Sequence, residues 1–376
     1  MKLVVTSENL VSAIRRVIPA VNSKPTHPIM ANLLFVAEGE KLTVTAADFD
    51  VRISTCIPAL IMESGKITLP AKKIQQIAGG LPSGDVEFSL DDSNGPEVRL
   101  TCRKSYYKVR GLDAEDFPVD DAVDYDWGFT MPVKELFSAF SKVIYARAED
   151  ESRKELNGLL MSIRGGMLTI AATDGRRLAM VEKPFQEEIA EEHEGDVILA
   201  YKSVMELMKS LDPADQVKIN LSQAAASFET PSTTINTKLR EGHYPNFRSV
   251  IPASFKQTVA ISRLSLIDVL TRVSMVASDA NPTLCFEISN NEMIISTRSA
   301  EYGESHESIE VSMEGEPITV CFNPNYLTEP LKYLDCDQLF IKFNDVLSPA
   351  SLEGDEGFIY ILMPMKLPEG FVSAKA

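Results

Sequence analysis

The stretch TDGRR, residues 173–177, sets the carboxylate of Asp174 beside two guanidiniums, Arg176 and Arg177. Acid–base chemistry there would need a companion base and an environment that shifts the carboxylate pKa. Asp48 holds the matching place after an earlier strand pattern, and no base is spaced to serve either aspartate. No P-loop, G-x-G-x-x-G, H-E-x-x-H or G-x-S-x-G motif occurs. His27, His193, His243 and His306 are scattered without zinc-ligand spacing. Cys56, Cys102, Cys285, Cys321 and Cys336 form no C-x-x-C pair and read as reduced, mostly buried thiols of a cytoplasmic protein. The expectation is therefore no catalysis, no metal and no cofactor, with Asp174 a turn residue after a strand.

The remaining chemistry is binding. In YILMPMKL, residues 360–367, two methionines flank a proline within an apolar run. Proline lacks a backbone donor and stops a central strand. Methionine adapts to varied partners, which suits the wall of a binding groove, although ordinary core reads the same way. The formal net charge of −17 argues against tight phosphate binding when taken as a sum. No apolar run is long enough to span a bilayer.

The elements that must carry these residues repeat three times. Leu10, Ile14 and Val17 share one helical face, and the spacing recurs at Leu136, Phe140 and Val143 and at Leu266, Leu270 and Val273. Ser7 and Ser262 read as N-caps. A second helix comes later in each third, on Ile74, Ile77 and Leu81, then Val204, Leu207 and Leu211, then more weakly Leu327 and Leu334 around Pro330. Strands KLTVTAAD, MLTIAATD and EMIISTRS lie between the helices, and DVEFSL, QVKINL and QLFIKF come after them. The connectors from Leu112 and from Leu239 each carry an aromatic-Pro pair, Phe117-Pro118 and Tyr244-Pro245. The expected fold class is α+β, three tandem similar domains at 1–122, 127–250 and 253–376, each with antiparallel sheets and two helices.

The six helix candidates hold 12 basic and 5 acidic residues, and the rest of the chain holds 25 and 49. Glutamate forms helices as well as lysine does, so its scarcity there is not a matter of propensity. Acidic outer surfaces with basic helical faces suit a ring whose helices line a hole and hold a polyanion loosely.

The stretches KPTHPIMANLL (24–34), LNGLL (156–160), AATDGRRLA (171–179), HYPNF (243–247), CFNPNYL (321–327) and YILMPMKL resemble the bacterial DNA polymerase sliding clamps, the beta subunits of the polymerase III holoenzyme, over nearly the whole chain. The resemblance implies the DNA clamp fold and a six-domain ring formed as a homodimer. It implies encirclement of double-stranded DNA without sequence preference, and tethering of the replicative DNA polymerase, the clamp loader and other clamp-binding-motif proteins. It implies a partner-peptide cleft at Leu156, Gly158, Thr173, Gly175, Arg176, Arg177, Leu178, Pro245, Val250, Asn323, Tyr326, Val346, Ser348, Ile361, Met363, Pro364, Met365 and Lys366. DNA contact is expected from Lys24, Lys72, Lys73, Arg15, Arg16, Lys202, Lys209 and Lys332, and ring closure from Tyr107 and Val109 against Met275 and Val276. An acidic scaffold of three repeated domains without DNA is the alternative.

Four places depart from the family pattern. Lys154-Glu155 replaces an aromatic pair, Arg176 stands where histidine is familiar, and Lys24 replaces an arginine and so loses the planar fork. Residues 368–376 extend past the family's usual end and read as a free tail.

Overall fold

The computed structural model describes the chain apart from residues 23–26, 92, 94, 119–123, 185–193 and 369–376. Lys24 and His193 therefore lie outside the described residues. Among those described there are six α-helices: α1 (Ser7–Val17), α2 (Ala71–Gly80), α3 (Val133–Val143), α4 (Tyr201–Ser210), α5 (Arg263–Val273) and α6 (Pro324–Leu331). The apolar spacing does what it predicts. Leu10, Ala13, Ile14 and Val17 of α1 are buried, as are Leu266, Val269, Leu270 and Val273 of α5. Each of the leucines, isoleucines and valines among them contributes about 1.5–3 kcal/mol through removal from water. α6 is the short one, because Pro330 falls inside it and supplies no amide for a further turn.

Capping differs from expectation at one helix. Ser262 does cap α5, accepting from the Ser265 amide at 3.4 Å. At α1 the cap is Thr6, whose hydroxyl accepts from the Asn9 amide at 3.2 Å. Ser7 is instead buried, and its hydroxyl accepts from the Gly84 amide at 3.1 Å.

The chain forms two compact units, which do not coincide with the three repeats. Met1–Phe137 with Ala200–Leu239 makes one, and Ser138–Leu199 with Arg240–Ala376 makes the other. The cause is sheet continuity. In the first unit an eight-stranded antiparallel sheet crosses from one repeat to the next where Thr233–Lys238 pairs with Val51–Pro58. In the second unit a nine-stranded antiparallel sheet crosses where Arg177–Pro184 pairs with Phe358–Leu362. Both junctions pair backbone groups that an open sheet edge would leave bare. A five-stranded sheet completes the first unit and a four-stranded sheet the second.

The cysteine expectation needs correction. Cys285, in strand Leu284–Ser289, lies directly opposite Cys321, in strand Ile318–Phe322, and the two form a disulfide. Cross-strand register puts their sulfur atoms together, and register is invisible in a spacing of 36 residues. Cys56, Cys102 and Cys336 remain thiols.

Candidate functional site

The second unit carries the residues around TDGRR. Strand Met167–Thr173 turns back into Arg177–Pro184, and Asp174 holds the turn. One Asp174 carboxylate oxygen accepts from the Arg176 amide at 2.8 Å and the Arg177 amide at 3.0 Å. Gly175 sits at φ +87°, a conformation that glycine adopts without strain. Asp174 is thus the turn residue the sequence suggests. It also anchors a side chain, since its other oxygen accepts from Arg177 Nε at 3.0 Å.

Arg177 is 8% exposed. Its guanidinium donates to the Tyr145 carbonyl at 2.6 Å and to the Glu329 carboxylate, and lies 4.3 Å from the ring centre of Tyr326. Burial opposes the charge, yet Tyr360, Glu329 and Asp174 outweigh it and raise the pKa above the ordinary arginine value. Burial also pushes the hydroxyls of Tyr145, Tyr244 and Tyr360 above the usual phenol range. The Tyr360 hydroxyl donates to the Tyr326 carbonyl at 2.7 Å, which joins the last strand to α6. Asp174, Tyr145, Glu329 and Tyr360 were not among the expected site residues. Asp174 carried a signal in its place in the turn, and Tyr360 in opening YILMPMKL; Tyr145 and Glu329 carried none.

YILMPMKL lies against this turn. Leu178 faces Ile361 across the strand pair, and the Met363 amide donates to the Arg176 carbonyl at 3.0 Å. Leu178 and Ile361 share a buried cluster with Leu160, Ala171 and Met180, against which Tyr244, Phe247 and Ile251 pack. Thr173 fixes that connector, its amide donating to the Tyr244 hydroxyl at 3.0 Å. Val250, Val346 and Met363 are exposed, as is Leu347, which sequence reasoning missed. Ser348 donates to Asp345 at 2.6 Å, and that hydrogen bond holds the Asp345 pKa below the usual carboxylate value.

Several expected cleft residues play supporting parts. Gly158 is buried against the second unit's own backbone, where an added Cβ would come within 2.3 Å of the Leu199 carbonyl oxygen. Asn323 caps α6, accepting from the Asn325 amide at 2.9 Å. Leu156 is half-buried and bonds through its backbone to Ala148 and Arg153. Met365 is not simply left at a rim beyond Pro364: its amide donates to the Cys321 carbonyl at 2.7 Å, one residue of renewed pairing. Gly175, Arg176, Pro245 and Lys366 are exposed, and Pro364 is half-buried.

The helix charges divide into two groups. Arg15, Lys72, Lys73, Lys209 and Lys332 are exposed, with no ion pair among the described residues. Arg16 instead donates to Ser232 at 2.5 Å and lies 3.7 Å from Asp212. Lys202 is engaged by Asp48 and by Glu206, which leaves it less charge to offer a phosphate than expected. Tyr107 and Val109 lie on Ser105–Arg110, an edge strand of the five-stranded sheet. Val109 is buried, so that edge presents backbone and Tyr107. In the other unit Met275 is 73% exposed beside half-buried Val276. Among the described residues no cluster of histidine, cysteine or carboxylates could hold a metal, and no helix is long and apolar enough to cross a membrane.

Three family models cover successive parts of the chain: the DNA polymerase III beta subunit N-terminal domain at 1–121, the central domain at 130–246 and the C-terminal domain at 248–366. A beta sliding clamp of Synechocystis is 31% identical, the match covering 98% of this chain and 100% of that protein. One of Vibrio cholerae is 28% identical over the same shares. The crystal structure of the DNA polymerase III subunit beta from Pseudomonas aeruginosa matches with a TM-score of 0.92 at 26% identity, covering 98% of this chain and all of that one. That of the Bacillus subtilis sliding clamp matches with a TM-score of 0.92 at 25% identity, over the same shares. A triplicated α+β chain, with its last strand laid against the Asp174 turn, belongs to the family of bacterial DNA polymerase III beta subunits, the beta sliding clamps.

Proposed function

We propose that two copies of the chain close into a six-domain ring around duplex DNA and tether the replicative polymerase, the clamp loader and other motif-bearing proteins through the cleft beside Met363. The observation that carries this is the joint of turn and strand: a buried Arg177 locks the turn, Leu178 and Ile361 share a buried apolar cluster, and Val250, Val346 and Met363 are exposed. A rigid floor with adaptable side chains above it suits short apolar peptides from several partners, which then compete. The chain performs no chemistry in this reading; topology holds the DNA, and modest phosphate contact from Arg15, Lys72, Lys73, Lys209 and Lys332 leaves it free to slide. Ring closure joins the backbone edge at Tyr107 to the Met275–Val276 turn of the second copy.

The test is retention on DNA. Protein assembled by a clamp loader on nicked circular duplex should stay bound through a high-salt wash and leave when the circle is cut. Equal release from circular and linear DNA would overturn encirclement and favour the acidic scaffold.

A further inference from the structure

The first unit contains a second hairpin built like the Asp174 turn, and beside it a cavity of about 650 Å³ that the cleft does not use. Asp48 accepts from the Asp50 amide at 2.8 Å and the Val51 amide at 2.7 Å, as Asp174 does from Arg176 and Arg177. The Lys238 amide donates to the Asp50 carbonyl at 2.9 Å, as Met363 does to Arg176. Phe49 therefore stands where the other turn has Gly175, and Pro118 where the other connector has Pro245.

The cavity wall is apolar and held in place. Ile29, Met30, Phe49, Leu112 and Pro118 line it. Phe49 is 52% exposed and Leu112 is 42% exposed. Leu112 is fixed to the sheet by paired backbone bonds with Thr68, and Arg52 donates to the Pro118 carbonyl at 2.6 Å. His27 meets Phe49 edge-on. The polar lining is Asp116 and His27, and among the described residues just before Asp116 on its connector Asp113 and Glu115 are acidic and none is basic. The volume lies in the range of small-ligand sites.

We propose that this cavity is a second peptide-docking site, selective for a short extended segment with a bulky apolar side chain next to a cationic one. The apolar side chain packs on Phe49, Met30 and Leu112, and the cation meets Asp116. This inference does not rest on the proposed ring or its cleft.

The experiment uses the full chain labelled with ¹³C at methionine methyls, the Met30 signal being assigned from Met30→Leu. The probes are acetyl-Lys-Leu-Phe-amide and its charge-reversed control acetyl-Glu-Leu-Phe-amide. The lysine peptide should shift the Met30 signal saturably at submillimolar to millimolar concentration, and the control should bind about tenfold more weakly, a difference of about 1.4 kcal/mol. Asp116→Asn should bring the two peptides to within about threefold. Phe49→Ala, at an exposed position, should abolish both responses. The proposal is overturned if millimolar lysine peptide leaves Met30 unmoved, or if the two peptides bind alike. It is also overturned if Met363→Ala removes the Met30 response, since the peptide would then sit in the other cleft.

Discussion

In the first repeat the turn after Lys41–Ala47 is held by Asp48, and in the second the turn after Met167–Thr173 is held by Asp174; each accepts the amides two and three residues on. The third repeat does the same with a hydroxyl, Ser299 accepting from Glu301 at 3.2 Å and Tyr302 at 3.3 Å. A short acceptor at the head of a hairpin is all that the backbone requires. The two aspartate turns differ in the residues beyond the acceptor. Val51 and Arg52 stand in one turn where Arg177 and Leu178 stand in the other, and Lys238 crosses one turn where Met363 crosses the other. Both aspartates take a cation, from opposite directions: Asp174 from Arg177 within its own turn, and Asp48 from Lys202 on α4. The frame is common to both turns, and in the function proposed above substitution at a few positions makes one of them a groove for apolar peptides.

The largest effect that separates the two turns should come from Arg177. Arg177→Ala leaves Glu329 and Asp174 beside a buried space with no cation, and breaking a buried pair in this way costs about 3–5 kcal/mol. Val51→Ala, at the matching place in the first turn, removes only packing and should cost about 1–3 kcal/mol. Urea unfolding of both variants measures the difference. Equal losses would mean that the Arg177 network adds nothing to the shared frame.

Next in size is the disulfide, which lies in the second unit. Opening the loop that it closes should cost about 2–4 kcal/mol, so Cys285→Ser or a thiol reductant should lower the melting temperature. The parent and the variant should then melt alike in reductant. A parent that is insensitive to reductant would contradict the bond.

How much of this could be read from the chain depends on the range of each interaction. The burial of α1 and α5 was legible because a helix repeats its face every three to four residues, so Leu10, Ile14 and Val17 declare it locally. The pairing of Ile361 with Leu178 follows the grouping that the family resemblance implied, whereas Met363 lies past the end of strand Phe358–Leu362 and is exposed, so alternation does not place it beside Ile361. The cap of α1 was misplaced by one residue because Thr6 and Ser7 both carry hydroxyls, and only the fold sends that of Ser7 to Gly84. The disulfide, the sheet junction at Thr233–Lys238 and the Glu329 partner of Arg177 join segments far apart in sequence. An edge strand carries no mark of its partner, and a lone glutamate none of its arginine. Lys202 shows the limit of the helix charge count, since a lysine on a helix can spend its charge on the protein's own carboxylates.

A smaller effect tests whether the side chain that crosses each turn sets what binds there. Met363→Ala should weaken a clamp-binding peptide by about 1–3 kcal/mol, because an apolar anchor at the centre of a groove carries much of the affinity. Lys238→Met, at the matching place in the first unit, should leave that peptide's affinity unchanged. Isothermal titration of both variants measures it. Parent-like binding by Met363→Ala would remove this strand from the groove.

The smallest effect concerns the other end of the Lys202 bridge. Glu206 is buried on α4, one of its carboxylate oxygens has no hydrogen-bond partner, and Lys202 lies 3.7 Å from the other. Burial raises its pKa from 4.5 to about 7, against the pull of Lys202 and Lys209. A raised carboxyl pKa means that the folded protein binds a proton that the unfolded chain has already released. The stability this supplies is full below pH 4.5 and is lost as the pH rises through about 7. Glu206→Gln keeps the shape and removes the titration, so stability should fall less between pH 5 and pH 8 in the variant than in the parent. The difference should be on the order of 1 kcal/mol, reduced from the full shift because Lys202 remains half-exposed. Thermal unfolding at the two pH values gives the comparison. If parent and variant show the same pH dependence, Glu206 titrates as an ordinary surface carboxylate, and the Lys202 bridge serves Asp48 alone.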